Sequence, residues 1–230
     1  MKNYYLTASL VTCLLAGNAY AGGSAPFYLG GTYGSTSTDN NAGQMDDYNI
    51  CTGAGSINET CTVGNDDNAY HIYGGVNISG GLGVEVGYVD LGTTANYHYS
   101  DPINLQQETT GVTVTGIARH RLGKTSPLIV YGKAGAVRWS SEVKGTIANL
   151  AGTAMQDKRV KQTGVSPTFG AGVEYQINSN MSLRAGWDRY MDIGEKKTLI
   201  RAIPTEKRFD LNTLETDVDV YSAGVNFSFF

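Results

Sequence analysis

The chain has 230 residues, a formal net charge of −4, 41% hydrophobic residues and a mean hydropathy of −0.22. After the N-terminal stretch no apolar run approaches the roughly 18 residues a membrane helix needs, so a helical membrane protein is excluded. The acidic balance argues against nucleic-acid binding, and 30 glycines and 15 tyrosines against 5 prolines favour many strands joined by turns.

The first residues predict a signal peptide over 1–21. Lys2 supplies a minimal charged start, "LTASLVTCLLAG" an apolar core, and "AYA" at Ala19–Ala21 a small-residue cleavage site. Cleavage would leave a single domain over 22–230 and remove Cys13. Gly22 stands where a lipoprotein would need cysteine. Cys51 and Cys61 then remain, in "CTGAGSINETC". Two close cysteines in an exported chain suggest a disulfide, worth about 2–3 kcal/mol on the chain-entropy account. No histidine or further cysteine lies nearby, so no metal site is expected.

Eight candidate strands follow, each read from alternation with period two. "PFYLGGTYG" places Phe27, Leu29, Gly31 and Tyr33 on one face. "YHIYGGVNISGGLGVEVGYVDLG" holds two strands around a tight turn at Ser79–Gly81. The first presents Ile72, Gly74, Val76 and Ile78; the second presents Leu82, Val84, Val86 and Tyr88, with Glu85 opposite. "TTGVTVTGIARH" aligns Val112, Val114, Gly116 and Ala118. "PLIVYGKAGAVRW" aligns Leu128, Val130, Gly132, Ala134 and Ala136, with Lys133 opposite. "VSPTFGAGVEYQI" runs apolar from Val165 to Ile177 on its odd positions, with Glu174 on the other face. "MSLRAGWDRY" sets Leu183, Ala185 and Trp187 against Arg184, and "VDVYSAGVNFSFF" aligns Tyr221, Ala223, Val225, Phe227 and Phe229.

Connections alternate in length. Strands two to three, four to five and six to seven are joined by short turns. The other links are long, running over residues 35–69, 93–108, 140–162 and 191–215. Short turns at one end and long loops at the other is the pattern of a transmembrane barrel, and the even strand number agrees. An apolar face opposite one carrying Glu85, Lys133, Glu174, Arg184 and many small polar residues places lipid outside and a filled polar interior within. The fold class expected is all-β, an eight-stranded antiparallel up-and-down transmembrane β-barrel with four long extracellular loops.

These segments resemble the OmpA N-terminal transmembrane domain. "VSPTFGAGVEYQI" is similar to that family's sixth strand, the segment around "GLGVEVGYVDLG" to its second hairpin, "VYGKAGAVRW" to its fifth strand and "YSAGVNFSF" to its last. The resemblance implies an interior network of acids and bases that plugs or gates the lumen, with Glu85, Glu174 and Arg184 matching members and Lys133 an interior basic position. A family lysine would fall near Ile117, which is apolar here, and Arg119, with the same parity, is the substitute one layer lower. Charges in so narrow an interior are tolerable only when paired. The family's peptidoglycan-binding domain has no counterpart in the chain as read, so anchoring to peptidoglycan is not carried over. Outer-membrane barrels also resemble one another in a final aromatic strand read by the assembly machinery. Gly224, Phe227 and Phe229 fit, with Phe230 shifting the terminal residue by one.

"GLGVEVG" lacks the spacing and the following helix of a dinucleotide motif. His71, His98 and His120 form no metal spacing and are expected at interfaces or in loops. His98, Ser100 and Asp101 are the only local set that could suggest a lipid A-modifying enzyme, a remote alternative; no catalytic residue and no cofactor is expected. Basic clusters at Lys158–Lys161, Lys196–Lys197 and Lys207–Arg208 are assigned to the third and fourth loops. They suit lipopolysaccharide phosphates or acidic glycans if they are more than solvated surface. The expected function is structural and surface-directed: outer-membrane integrity and contact with host or environment in a Gram-negative bacterium. A low-conductance ion or small-solute pore is the alternative. Expected partners are outer-membrane lipid and lipopolysaccharide, the assembly machinery and a ligand at the loops, without nucleic acid.

Overall fold

Gly80 and Gly81 sit at φ 59° and 86°, the left-handed values that both central residues of a type I′ turn require. They join β3 (Asp66–Ser79) to β4 (Leu82–Tyr99) in a two-residue hairpin. A side chain added at Gly80 would meet open space, but at Gly81 its Cβ would lie 2.3 Å from the Arg119 carbonyl oxygen. The Arg119 N–H donates to the Gly81 carbonyl at 2.7 Å, tying the turn to the next hairpin.

The computed structural model describes residues 27–38, 61–64, 66–99, 103–148, 155–195, 200–203 and 208–229. The remaining long strands are β1 (Phe27–Thr38), β5 (Ile103–Arg121), β6 (Leu128–Ala148), β7 (Met155–Gln176), β8 (Met181–Ile193) and β11 (Thr216–Phe229). They pair in the order β4-β3-β1-β11-β8-β7-β6-β5, and β4 pairs with β5 to close an eight-stranded antiparallel barrel. Three short segments lie outside that ring. β2 (Cys61–Gly64) pairs with the far end of β4, and β9 (Ile200–Ile203) pairs with β10 (Arg208–Leu211).

The strands run further than alternation alone indicates. β6 has 21 residues and β7 has 22, about twice what crossing a bilayer needs. Much of two links read as long loops is therefore wall, including Thr93–Tyr99, Ser140–Ala148 and Met155–Gln162. Lys158–Lys161 lie on β7 and not in a loop. Polar residues occupy both faces there, so no alternation marks those stretches, although the ladder of backbone hydrogen bonds continues. Pro167 marks one limit: β7 pairs with β8 only from Thr168↔Tyr190 downward, where the N–H that proline lacks is no longer needed. Just above, the Ser166 hydroxyl donates to the Asp192 carbonyl at 2.8 Å and takes over the link to β8.

The faces separate as the parity requires. On β7, Val165 is 71% exposed while Glu174 is 4% exposed. Leu29, Ile72, Val114, Val173, Leu183 and Phe229 likewise point out of the barrel. Tyr33, Tyr70, Tyr88 and Tyr221 face outward near the long-link end. With Trp187, whose ring meets Phe169 edge-on at 5.5 Å, they form the upper aromatic boundary of the apolar band.

The turn yields a paired test. Gly81→Asn is expected to destabilise the folded barrel by at least about 1 kcal/mol more than Gly80→Asn. Asparagine tolerates a left-handed backbone at both positions, but only at Gly81 must its Cβ displace backbone. Urea unfolding in lipid vesicles, read by tryptophan fluorescence, checks the difference.

Candidate functional site in the barrel lumen

Glu174 and Arg184 are register partners on β7 and β8, so their inward side chains meet directly. The Arg184 Nε donates to Glu174 Oε1 at 2.9 Å, and its Nη2 reaches the same oxygen at 2.6 Å and Glu85 Oε1, from β4, at 2.7 Å. Arg119, from β5, bridges the same two acids: Nη2 to Glu85 Oε1 at 3.1 Å and Nε to Glu174 Oε1 at 3.2 Å. Two acids and two guanidinium groups thus close one neutral cluster near the short-turn end.

Rings wrap this cluster. The Arg184 guanidinium lies between the rings of Tyr73 and Tyr131, at 4.7 and 4.6 Å, and that of Arg119 lies 4.4 Å from the Tyr28 ring. The Tyr28 hydroxyl donates to Glu85 Oε1 at 2.8 Å, and the Tyr73 hydroxyl donates to Asn226 Oδ1 at 2.5 Å. Arg119 also donates to Asn77 at 3.0 Å, at the edge of an open vestibule of about 140 Å³ on the short-turn side.

One layer higher, Lys133 on β6 pairs with Asp188 on β8 at 3.0 Å. Asp188 is a site residue that sequence reading missed. Its parity relative to Arg184 on the same strand marks it as inward. Gly170 on β7 leaves the carboxylate its room: a Cβ there would sit 2.0 Å from Asp188 Oδ1. His71 lies deep in this layer, its Nε2 3.1 Å from the Thr113 hydroxyl. It is buried in the lumen, and the expectation of an interfacial or loop histidine is corrected. It shares parity with Tyr73, whose inward position could have disclosed it.

Above the charges the lumen changes character. Ala69, Val89, Leu91, Val137, Trp139, Tyr190, Ile193, Val218 and Val220 form one buried apolar cluster. A uniformly polar interior is therefore not what the chain builds, because the inward positions of β6 and β11 turn apolar toward the long-link end. The Trp139 Nε1 donates to the Ser166 hydroxyl at 2.8 Å, which holds the indole over the neighbouring strand β7, where Gly164 leaves it room. Over this layer lies a hydroxyl collar in which Thr109 meets Ser141 at 2.6 Å and Thr94 at 3.0 Å. The side-chain amide of Gln107 then grips the backbone of Leu214 twice, receiving its N–H at 2.7 Å and donating to its carbonyl at 3.1 Å. Leu214 is fully buried. Gln162 accepts from Thr213 and donates to Glu195, closing the same side of the mouth.

The other sequence-derived residues lie apart. Phe227 and Phe229 face outward on β11, and Gly224 stands opposite Thr32 and Arg184. His120 is exposed near the short turn, and His98 lies on β4 rather than in a loop. The signal peptide, Cys51, Ser100, Asp101, Lys196, Lys197, Lys207 and Phe230 lie outside the described residues, as do the side chains of Cys61 and Arg208.

Residues 23–230 match the OmpA-like transmembrane domain. Outer membrane protein A of Salmonella typhi is 29% identical over 127 residues, covering 55% of this chain and 34% of that protein. Outer membrane protein A of Klebsiella pneumoniae is 29% identical over 147 residues, covering 64% and 40%. The match spans well under half of the length of these relatives. Among solved structures, Neisserial surface protein A superposes with a TM-score of 0.51 at 17% identity, covering 90% of this chain and all of that one. The outer membrane protein OprG from Pseudomonas aeruginosa gives 0.50 at 13% identity, covering 90% and 96%. At such identities the likeness is one of fold. With the outward apolar band, these findings identify an outer-membrane β-barrel.

The buried Lys133–Asp188 pair can be tested by removing one partner and then both. Lys133→Met strands a carboxylate in the lumen and is expected to cost about 3–5 kcal/mol. Adding Asp188→Leu is expected to recover most of that loss. Urea unfolding midpoints of the refolded variants measure both steps.

Proposed function

The chain belongs to the OmpA-like transmembrane domain family, and on that footing we propose that it is a closed barrel whose role is structural and surface-directed. It reinforces the outer membrane and carries its long links outward as a contact surface for host or environment. The observation that carries this reading is the apolar layer of Trp139, Tyr190, Ile193 and Val218, buried across the lumen above the ion pairs. An ion passing it would shed much of its hydration against a mainly apolar lining, where few polar groups could replace the lost water. The Gln107–Leu214 clamp favours the same closed state.

The pore reading draws its support from the vestibule beneath Arg119 and from the ion pairs, which could exchange partners. It requires the apolar layer to part as well, and for that reason it ranks second. Neither reading includes a catalytic step. In the leading reading a cleaved segment over 1–21 directs export, Cys51–Cys61 pins the first long link, and Phe227 and Phe229 on the last strand engage the assembly machinery.

Two experiments separate the readings. Planar-bilayer recording of the refolded chain is expected to show no conductance steps, while a variant that opens both barriers, Trp139→Ala/Tyr190→Ala combined with Glu174→Ala/Arg184→Ala, is expected to show them. Steps in the unaltered chain that vanish in Glu174→Gln would establish the pore instead. Replacing residues 39–60 and 196–207 by short turns is expected to preserve the heat-dependent gel shift of a folded barrel and abolish adhesion to host cells or matrix. Adhesion retained after that exchange would contradict the surface role.

A further inference from the structure

On the outer face of β6, Ala134 and Ala136 lead directly to Arg138, the first charge above the apolar band. Its register partners are Val112 on β5 and Val165 on β7, both exposed. One step further, Ser140 stands opposite Thr163, and Lys161 follows on β7 opposite Glu142. Arg138, Thr163 and Lys161 are exposed and Ser140 half-buried. The boundary between apolar wall and polar rim therefore carries four hydrogen-bond donors in a row.

Two carboxylates on this face are already engaged. Glu142 pairs with Arg159 at 2.9 Å and Glu108 with Lys144 at 2.6 Å. Arg138 and Lys161 have no ion pair, hydrogen bond or ring contact among the described residues. The other side of the barrel differs. There Arg189 is held by Asp217 and Asp219, at 2.7 and 3.1 Å. An unmatched positive charge at the apolar boundary is thus found on β6–β7.

We propose that Arg138, Ser140, Thr163 and Lys161 seat the phosphate of a phosphorylated lipid headgroup in the outer leaflet. Lys161 lies four residues along β7 from Val165, so its Cα is about 13 Å beyond the level of Arg138. The two long side chains can converge from either end on one phosphate, with the two hydroxyls between them as further donors. The guanidinium offers a planar fork that matches phosphate oxygens, and the ammonium adds a point charge. Val112, Val114 and Val165 lie just below, where the acyl chains of the same lipid would run. The lipid supplies both halves of this contact, whereas free phosphate would use only the polar half. The proposal rests on the outer-membrane location and is independent of whether the lumen conducts.

Native mass spectrometry of the full chain in a phosphate-free maltoside detergent tests it, with monophosphorylated lipid A, dephosphorylated lipid A and inorganic phosphate as probes. The phosphorylated lipid is expected to bind at one per barrel, at least about tenfold more tightly than the dephosphorylated form, the factor that one charged hydrogen bond corresponds to. Arg138→Gln/Lys161→Gln is expected to lose that tenfold preference, and Glu108→Gln/Lys144→Gln to keep it, each variant first showing the heat-dependent gel shift. Equal binding of the two lipids to the unaltered chain, which needs no variant to fold, would overturn the proposal. Displacement of the lipid by inorganic phosphate at an equal concentration would overturn the lipid assignment. A double variant that keeps the preference would remove these residues from the seat.

Discussion

An eight-stranded barrel leaves its interior no room for bulk water, so a charge placed there must be neutralised by another side chain. The rest of this molecule follows from how that requirement is met. Arg184 serves two carboxylates at once, Arg119 serves the same two from the opposite wall, and three aromatic rings stack on the guanidinium planes. Because Glu174 and Arg184 are direct register partners, a one-residue slip of β7 against β8 would turn one of them toward lipid. The cluster therefore specifies which pairing the barrel adopts. Its net contribution to stability is a separate quantity, since buried ion pairs often gain little over apolar packing.

Much of this is legible from parity. The odd positions from Val165 to Tyr175 face out, and Glu174 faces in, as alternation along that stretch requires. Arg119, the expected substitute one layer below a missing lysine, reaches both acids from there. Parity also assigns Lys133 to the interior, but its partner Asp188 is easily overlooked beside the more conspicuous Arg184 and Trp187. The apolar layer is hidden for a different reason. Its residues are scattered over β3, β4, β6, β8 and β11, and only the tilt and stagger of the closed sheet bring them to one level. Sequence alternation reports which side of a strand a residue occupies, and it carries no information on height along the barrel axis. The same limit hides the upper halves of β6 and β7, where both faces are polar and periodicity fades while hydrogen-bonded pairing continues.

The two faces of the wall solve opposite problems with the same kinds of residue. Inside, cations are matched by acids because water is excluded. Outside, above the tyrosine boundary, most charges are matched across neighbouring strands, as in Arg189 with Asp217 and Asp219. Arg138 and Lys161 depart from this rule on β6–β7. If a lipid phosphate is seated between them, the membrane itself supplies their missing counter-charge.

In the closed barrel proposed above, the lumen is blocked on both sides of its middle layer, by ion pairs toward the short-turn end and by apolar packing toward the long links. Thr113 lies between these barriers, buried against His71. The most direct measurement is the reaction of a Thr113→Cys side chain with a small charged thiol reagent, in a folded barrel with Cys51→Ser and Cys61→Ser in lipid vesicles. A doubly closed lumen predicts no labelling from either side of the membrane until the barrel is unfolded. Labelling of the folded barrel at a rate near that of Arg119→Cys, at the edge of the open vestibule, would contradict it.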